Sequence, residues 1–425
     1  MPTIPAISKL KNKLSSQFIR NLGWLGMAEI IPRIFRLAVT VILARYLSRY
    51  DYGLAAIVLA VNEFTRVFTD VGVTAKIIQA EQKDLESLCN SAYWLNWVVF
   101  PGLFILQCFV AFPVSWFYND GKLILPICVA GIPYLTWPIA AIQCALIIRE
   151  NRLKICAINN VIKNITSSVL SAIFALSGMG IWSFVLPWVL VAPIELFMYY
   201  NNHSWRSTTG LKTKYWNDIF SFGKNILGVQ LLKTLRNNLD YLIVGRFLGI
   251  ENLGLYFFGF NAGLGISLSI ITALNTALFP HLCAVRGDWL EFKNRYFGSL
   301  KTISLIIIPW VFLQSSLAHL YVPVIFGQKW VVAIPILILI CLSAIPRPFA
   351  DAASQMLVAI GKPNLDLRWN ILFTGMFAGA LLIGVHWQAV GVATAVLLVH
   401  AISLPLFTVW ATRYVFHKTE VTTRG

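Results

Sequence analysis

Apolar stretches about as long as a bilayer is thick recur along this chain with little between them. They fall near 22–44, 54–74, 90–112, 123–148, 155–177, 180–200, 219–245, 254–279, 297–318, 331–358, 367–385 and 388–412. A helix needs roughly 20 apolar residues to cross the hydrocarbon core. In lipid every backbone group must be satisfied within the protein, so such segments can only be helices or strands of a closed barrel. Their length selects helices. Of the 425 residues 58% are hydrophobic and 12% charged, against about a quarter charged in a soluble domain. A soluble enzyme, a disordered tail, a coiled coil and a collagen are excluded. The sequence predicts an all-α integral membrane protein of about twelve transmembrane helices.

Charge placement sets the orientation. With both termini cytoplasmic, the inner segments carry Lys9, Lys11, Lys13, Arg20, Lys76, Lys83, Arg149, Arg152, Lys154, Arg206, Lys212, Lys214, Arg286, Lys293, Arg295, Lys362, Arg368, Arg413, Lys418 and Arg424. The outer turns carry Arg45, Arg49, Lys122, Arg246 and Lys329. This is the positive-inside bias, and it accounts for the formal net charge of +16 without nucleic acid as a partner. The expected organisation is a basic amphipathic cytoplasmic segment (1–21), an N-terminal six-helix lobe (22–200), a cytoplasmic linker (201–218), a C-terminal six-helix lobe (219–412) and a cytoplasmic tail (413–425). No loop is long enough for a catalytic domain, so an enzyme is not expected. Seven scattered cysteines and six histidines lack metal-ligand spacing; the cysteines read as packing residues, and neither metal nor cofactor is expected.

The halves share a motif. Ile42-Leu43-Ala44-Arg45-Tyr46-Leu47-Ser48 with Asp51-Tyr52-Gly53-Leu54 returns as Ile243-Val244-Gly245-Arg246-Phe247-Leu248-Gly249 with Asn252-Leu253-Gly254-Leu255. Each copy closes the first span of a six-span half, so the halves run in the same orientation. That predicts a parallel repeat about a pseudo-two-fold axis along the membrane normal, with a cavity between two lobes. Arg45 and Arg246 read either as helix-end cations, with Gly53 and Gly254 opening the turn, or as gating residues. Pro126, Pro133 and Pro138 in the fourth span, and Pro335, Pro346 and Pro348 in the tenth, predict bent, mobile helices.

Ionisable residues at membrane depth are costly and point to function. Glu29, Arg33 and Arg36 share one face of the first span; Glu63, Arg66 and Asp70 one face of the second; Lys233, Arg236 and Asp240 one face of the seventh. Lys163 lies among asparagines in the fifth, and Arg347 and Asp351 follow a proline in the tenth. Internal salt bridges, such as Lys233 or Arg236 with Asp240, are the structural reading. Alternatively, Arg33, Arg36, Arg66, Lys163, Lys233 and Arg236 are cavity cations suited to an anionic group such as a phosphate. Glu29, Glu63, Asp70 and Asp240 would then serve ion coupling or salt bridges.

The first hairpin, with Phe68-Thr69-Asp70-Val71-Gly72 and Ile77-Ile78-Gln79, resembles the Wzx-type polysaccharide flippases of the multidrug/oligosaccharidyl-lipid/polysaccharide exporter superfamily. The second half agrees, in Asn238-Leu239-Asp240-Tyr241-Leu242-Ile243-Val244-Gly245-Arg246-Phe247-Leu248-Gly249, Gly254-Leu255-Tyr256 and Phe279-Pro280. The resemblance implies two six-helix lobes in the bacterial inner membrane. It also implies alternating-access transfer of an undecaprenyl-pyrophosphate-linked oligosaccharide for O-antigen, capsule or exopolysaccharide export. Polysaccharide polymerase and export machinery would be further partners, and a proton or sodium the coupling ion. A cation-coupled multidrug-type efflux antiporter of the same superfamily is the alternative. A polymerase or ligase would need a large outer loop, and a passive scaffold would not need buried charge.

Overall fold

The computed structural model describes residues 35–69, 72–207, 210–285 and 288–422. Helices dominate these residues, and no strand occurs among them. Helix α1 (35–46) is followed by α2 (Arg49–Val67), α3 (Val73–Gln79), α4 (Leu85–Tyr118), α5 (Ile124–Ala130), α6 (Pro133–Thr136), α7 (Pro138–Arg149), α8 (Leu153–Leu176) and α9 (Trp182–Asn202). The second half runs through α10 (Trp216–Leu248), α11 (Ile250–Cys283), α12 (Trp289–Ser316), α13 (Ala318–Tyr321), α14 (Ile334–Ser343), α15 (Arg347–Ala359), α16 (Pro363–Gly384) and α17 (Gln388–Thr422). Each of the twelve apolar stretches overlaps one of these helices or a broken series of them. Among the described residues, five helical stretches are long and apolar enough to cross a membrane, or six if the bent α5–α7 series counts as one. The helices α2, which carries Glu63 and Arg66, and α10, which carries Lys233, Arg236 and Asp240, are not in that set. The protein is a multi-pass membrane protein.

The chain divides into two compact units, 1–47 with 58–234 and 48–57 with 235–425. The sequence-drawn boundary lay in the linker at 201–218. The structural division falls inside α10, and the first part of α2 counts with the C-terminal unit.

Within the N-terminal unit the fourth span is broken. Its α5–α6 and α7 parts meet at 60°, with Pro133 and Pro138 at helix starts. Upstream of the bend, where α5 ends, Gly131 N–H bonds the Cys128 carbonyl rather than that of Ile127. The Ile127 carbonyl accepts instead from Gln107 Nε2 of α4 at 2.7 Å. Gln107 is fully buried, and a buried carbonyl without a partner would be costly.

In the C-terminal unit the tenth span breaks likewise. Residues Ala344–Pro346 separate α14 from α15, since a proline in the interior removes one helical hydrogen bond and clashes with the preceding turn. The helix is interrupted near the prolines in both halves; the fourth span bends there by 60°, whereas Gln328–Ala359 counts as one span.

The repeated hairpins are tight. Ser48 and Asp51 form a reciprocal cap: Ser48 N–H and Oγ–H both donate to Asp51 Oδ2, and Asp51 N–H donates to Ser48 Oγ. In the second copy Gly249, at φ +84°, turns the chain directly from α10 into α11. Gly53 and Gly254 do not open these turns. Each is the fifth residue of the helix that follows, and their role is close approach. A Cβ on Gly53 would land on the Ile250 carbonyl oxygen, and one on Gly254 on the Arg49 carbonyl oxygen. Arg49 and Ile250 are themselves repeat equivalents, so the contact is reciprocal. Around it, Tyr52 packs edge-on to Trp330 at 4.9 Å and Phe258 stacks on Trp330 at 4.0 Å. Arg49 Nη2 donates to the Lys329 carbonyl at 2.6 Å.

Candidate functional site

The charged residues expected in the membrane fall into separate groups. Glu29, Arg33 and Asp70 lie outside the described residues. Arg36, at the start of α1 as described, is exposed. Arg45 and Arg246 are exposed in the last turns of α1 and α10, where the helix dipole favours a cation.

In the N-terminal unit, Asn62 and Arg66 sit on α2, with Glu63 half-buried between them. Asn62 Oδ1 accepts from the Tyr134 hydroxyl at 3.0 Å. Arg66, exposed in the last turn of α2, exerts its charge on Tyr134. Lys163 of α8 is engaged by Glu195 of α9, with Nζ 2.9 and 3.0 Å from the two carboxylate oxygens.

The C-terminal unit concentrates buried charge. Asp240 of α10 is 3% exposed and accepts from the Tyr256 hydroxyl of α11 at 2.9 Å and from the Tyr241 N–H at 3.0 Å. Arg236 donates through Nη1 to Asn370 Oδ1 of α16 at 2.5 Å, and its guanidinium lies 5.8 Å over the Phe373 ring. The expected Arg236–Asp240 salt bridge is therefore not the arrangement found. Long helical side chains lean toward the N-terminus of their own helix. Arg236 thus extends away from Asp240, which lies one turn C-terminal, and reaches α16. Lys233, one turn further on, is exposed.

Arg347 begins α15 immediately after the break in the tenth span. Its Nε lies 3.5 Å from His400 Nδ1 of α17, and Asp240, Asp351 and Arg236 are its charged neighbours. His400 is 4% exposed and lies against both Phe373 and Phe377, near-parallel to them, at 5.7 and 5.6 Å. At one edge of the cluster Ser354 Oγ donates to Asp366 Oδ1, and the Asp366 carbonyl accepts from Asn370 Nδ2 at 2.8 Å. A neutral amide, not a carboxylate, is the contact partner of Arg236. Its charge is steered but not cancelled at contact distance, an arrangement that can receive an anion.

Sequence reasoning missed His400, Asn370 and Tyr256. The signal for His400 was present, since it is the one ionisable residue deep in the last span. Asn370 and Tyr256 carry no sequence mark of their role. All seven cysteines are free; Cys283, exposed at the end of α11, departs from the expectation that all are packed.

The signature of the polysaccharide biosynthesis protein family matches residues 42–335. The chain belongs to this family. Within its range are α2, the whole of α10 and the repeated hairpins, whereas Arg347, Asn370 and His400 lie beyond it. A relative over most of the chain is the lipopolysaccharide biosynthesis protein WzxC of Escherichia coli (strain K12), 24% identical over 92% of this chain and 80% of its own length. Among solved structures, the lipid II flippase MurJ in an inward closed conformation superimposes with a TM-score of 0.71 at 15% identity, over 92% of this chain and 87% of its own. An inward-facing multidrug resistance MATE family transporter of the MOP superfamily superimposes at 0.69 and 13% identity, over 92% and 96%. Family members of this fold thus share an architecture with both a lipid flippase and a drug transporter.

Proposed function

We propose that this protein moves a lipid-linked oligosaccharide from the cytoplasmic to the periplasmic leaflet of the bacterial inner membrane, with both termini cytoplasmic. The observation that carries the reading is the charge inside the C-terminal unit. Buried Arg347 has Asp240 and Asp351 as charged neighbours, and Arg236 has Asp351 and Asp366; charge at membrane depth is retained where a transported group needs it. Polysaccharide biosynthesis, the family's role, supplies the cargo class, and the flippase likeness of the fold fits it. The cargo would be undecaprenyl-pyrophosphate-linked. Arg33, Arg36, Arg66, Lys233 and Arg236 would meet the anionic group, and Lys163 would do so on release from Glu195. Asp240, with Glu29, Glu63 and Asp70, would serve coupling to a proton or sodium gradient. The protein acts as a carrier and not an enzyme, cycling by alternating access and handing cargo to polymerase and export machinery.

The fold alone suits a drug antiporter equally well, so the test must separate the two. Membrane lipids of cells depleted of the protein are analysed by mass spectrometry, with leaflet assignment. Polyprenyl-pyrophosphate oligosaccharide accumulating on the cytoplasmic leaflet, with loss of surface polysaccharide, is the expected result. Unchanged lipid intermediates with altered sensitivity to cationic drugs would transfer the assignment to the antiporter.

A further inference from the structure

The N-terminal unit contains a cavity of about 480 Å³ that the charged groups leave unexplained. Its walls are Phe68 after α2, Val99 and Leu103 of α4, and Phe220, Gly223 and Leu227 of α10, with the Ser221 hydroxyl the one polar side chain among the described lining residues. Phe68, Val99 and Leu103 belong to a cluster that also includes Tyr134 and Phe100. Tyr134 carries the field of Arg66, and Arg66 lies two residues before Phe68. Among the described residues no carboxylate stands within ion-pair distance of Arg66. The apolar slot and an exposed cation thus share a neighbour in Tyr134.

We propose that this cavity receives the isoprenoid chain of a phosphate-bearing lipid carrier, with Arg66 against the phosphate. The inference rests on the transport reading and adds the place where the carrier's tail is held. Filling such a slot is favourable, because an empty apolar void forfeits dispersion contacts along its walls. One slot suits an isoprenyl phosphate, which brings one chain per phosphate. A glycerophospholipid brings two chains per phosphate, and the second would have no place here. The aromatic and branched lining offers contact to a methyl-branched chain, with the Ser221 hydroxyl as the polar group beside it.

The test is photolabelling of the full-length protein in nanodiscs. The probe is an isoprenyl phosphate with a diazirine in its chain, and labelled peptides are mapped by mass spectrometry. Label is expected on the α4 and α10 segments that line the cavity, displaced by undecaprenyl phosphate but not by phosphatidic acid. Val99→Trp and Leu227→Trp, which fill the slot from opposite walls, should each lower labelling roughly tenfold, the loss expected from about two methylene groups of contact. Arg66→Gln should lower labelling by the phosphate probe and spare labelling by the matching uncharged isoprenol. Equal displacement by phosphatidic acid would make the cavity a bilayer-lipid slot and overturn the inference. So would label that maps elsewhere, or yield unchanged in both tryptophan variants. Labelling requires no transport, so a chain that binds the probe without moving it separates failure of the transport reading from failure of this one.

Discussion

The reciprocal glycine contact gives a prediction in which one substitution has opposite signs at different positions. Gly298 of α12 is exposed, with nothing within 4 Å of where a Cβ would stand. Gly298→Ala should stabilise by about 0.5–1 kcal/mol, through the entropy that glycine loses on entering a helix. At Gly254 the same methyl falls on the Arg49 carbonyl oxygen, with the Gly53 nitrogen at 3.0 Å. Neither is the end of a flexible side chain, so α2 and α11 must part by roughly 1 Å or more. That parting also loosens Tyr52 from Trp330 and from Phe258. The cost belongs at the upper end of overpacking, about 3 kcal/mol. The two alanine variants should therefore differ by about 4 kcal/mol, on the order of 4–5 °C in apparent Tm for a protein of this size. The assay is thermal denaturation of the detergent-solubilised protein followed by tryptophan fluorescence. Gly53→Ala should behave like Gly254→Ala. Once one methyl has parted the helices the second meets less resistance, so the double variant should cost less than the sum. Equal Tm values for Gly254→Ala and Gly298→Ala would refute the close-approach argument.

Tyr256→Phe removes the hydroxyl that serves buried Asp240 and should destabilise by about 1–3 kcal/mol, read by the same melt; an unchanged Tm would mean that Asp240 is satisfied another way. Gln107→Leu leaves the Ile127 carbonyl at the helix break without its donor and should cost a similar amount, whereas a neutral result would mean water reaches the break. Arg236→Ala should abolish export of surface polysaccharide with normal protein level in the membrane, and wild-type export would remove Arg236 from the transport path. Outside the membrane, Glu150 is 3.1 Å from both His203 Nε2 and Arg152 Nη1. Burial alone would raise its carboxyl, but these hydrogen bonds outweigh it and hold the group below the usual glutamate range. Its contribution is complete above that range and is lost as pH falls through the lowered folded value. The protection factor at 203–207, exchange corrected for the intrinsic pH dependence of amide exchange, should therefore fall on acidification in the wild type and show no such step in Glu150→Gln.

The helices were legible because lipid leaves the chain so few options. Apolar length located them, and prolines marked both breaks. The repeat was legible as a motif, yet its glycines were misplaced. A glycine near a turn looks the same in sequence whether it bends the backbone or admits another helix, and only the position of Ile250 and Arg49 decides between them. The charged faces were legible as faces. Their partners were not, because Arg236 finds Asn370 more than a hundred residues away and Asp240 finds a tyrosine indistinguishable from any other. His400 needed a different question, since a lone histidine carries no spacing pattern.

The packing of residues 48–57 with the C-terminal unit also sets an order in time. Gly53 emerges from the ribosome about 200 residues before Gly254, its reciprocal contact. At the usual 5–20 residues per second, roughly 10–40 s pass between them. During that interval the first hairpin is in the membrane with its small-residue face unfilled. The nascent protein must therefore shelter that face, by lipid or by the insertion machinery, until α11 arrives.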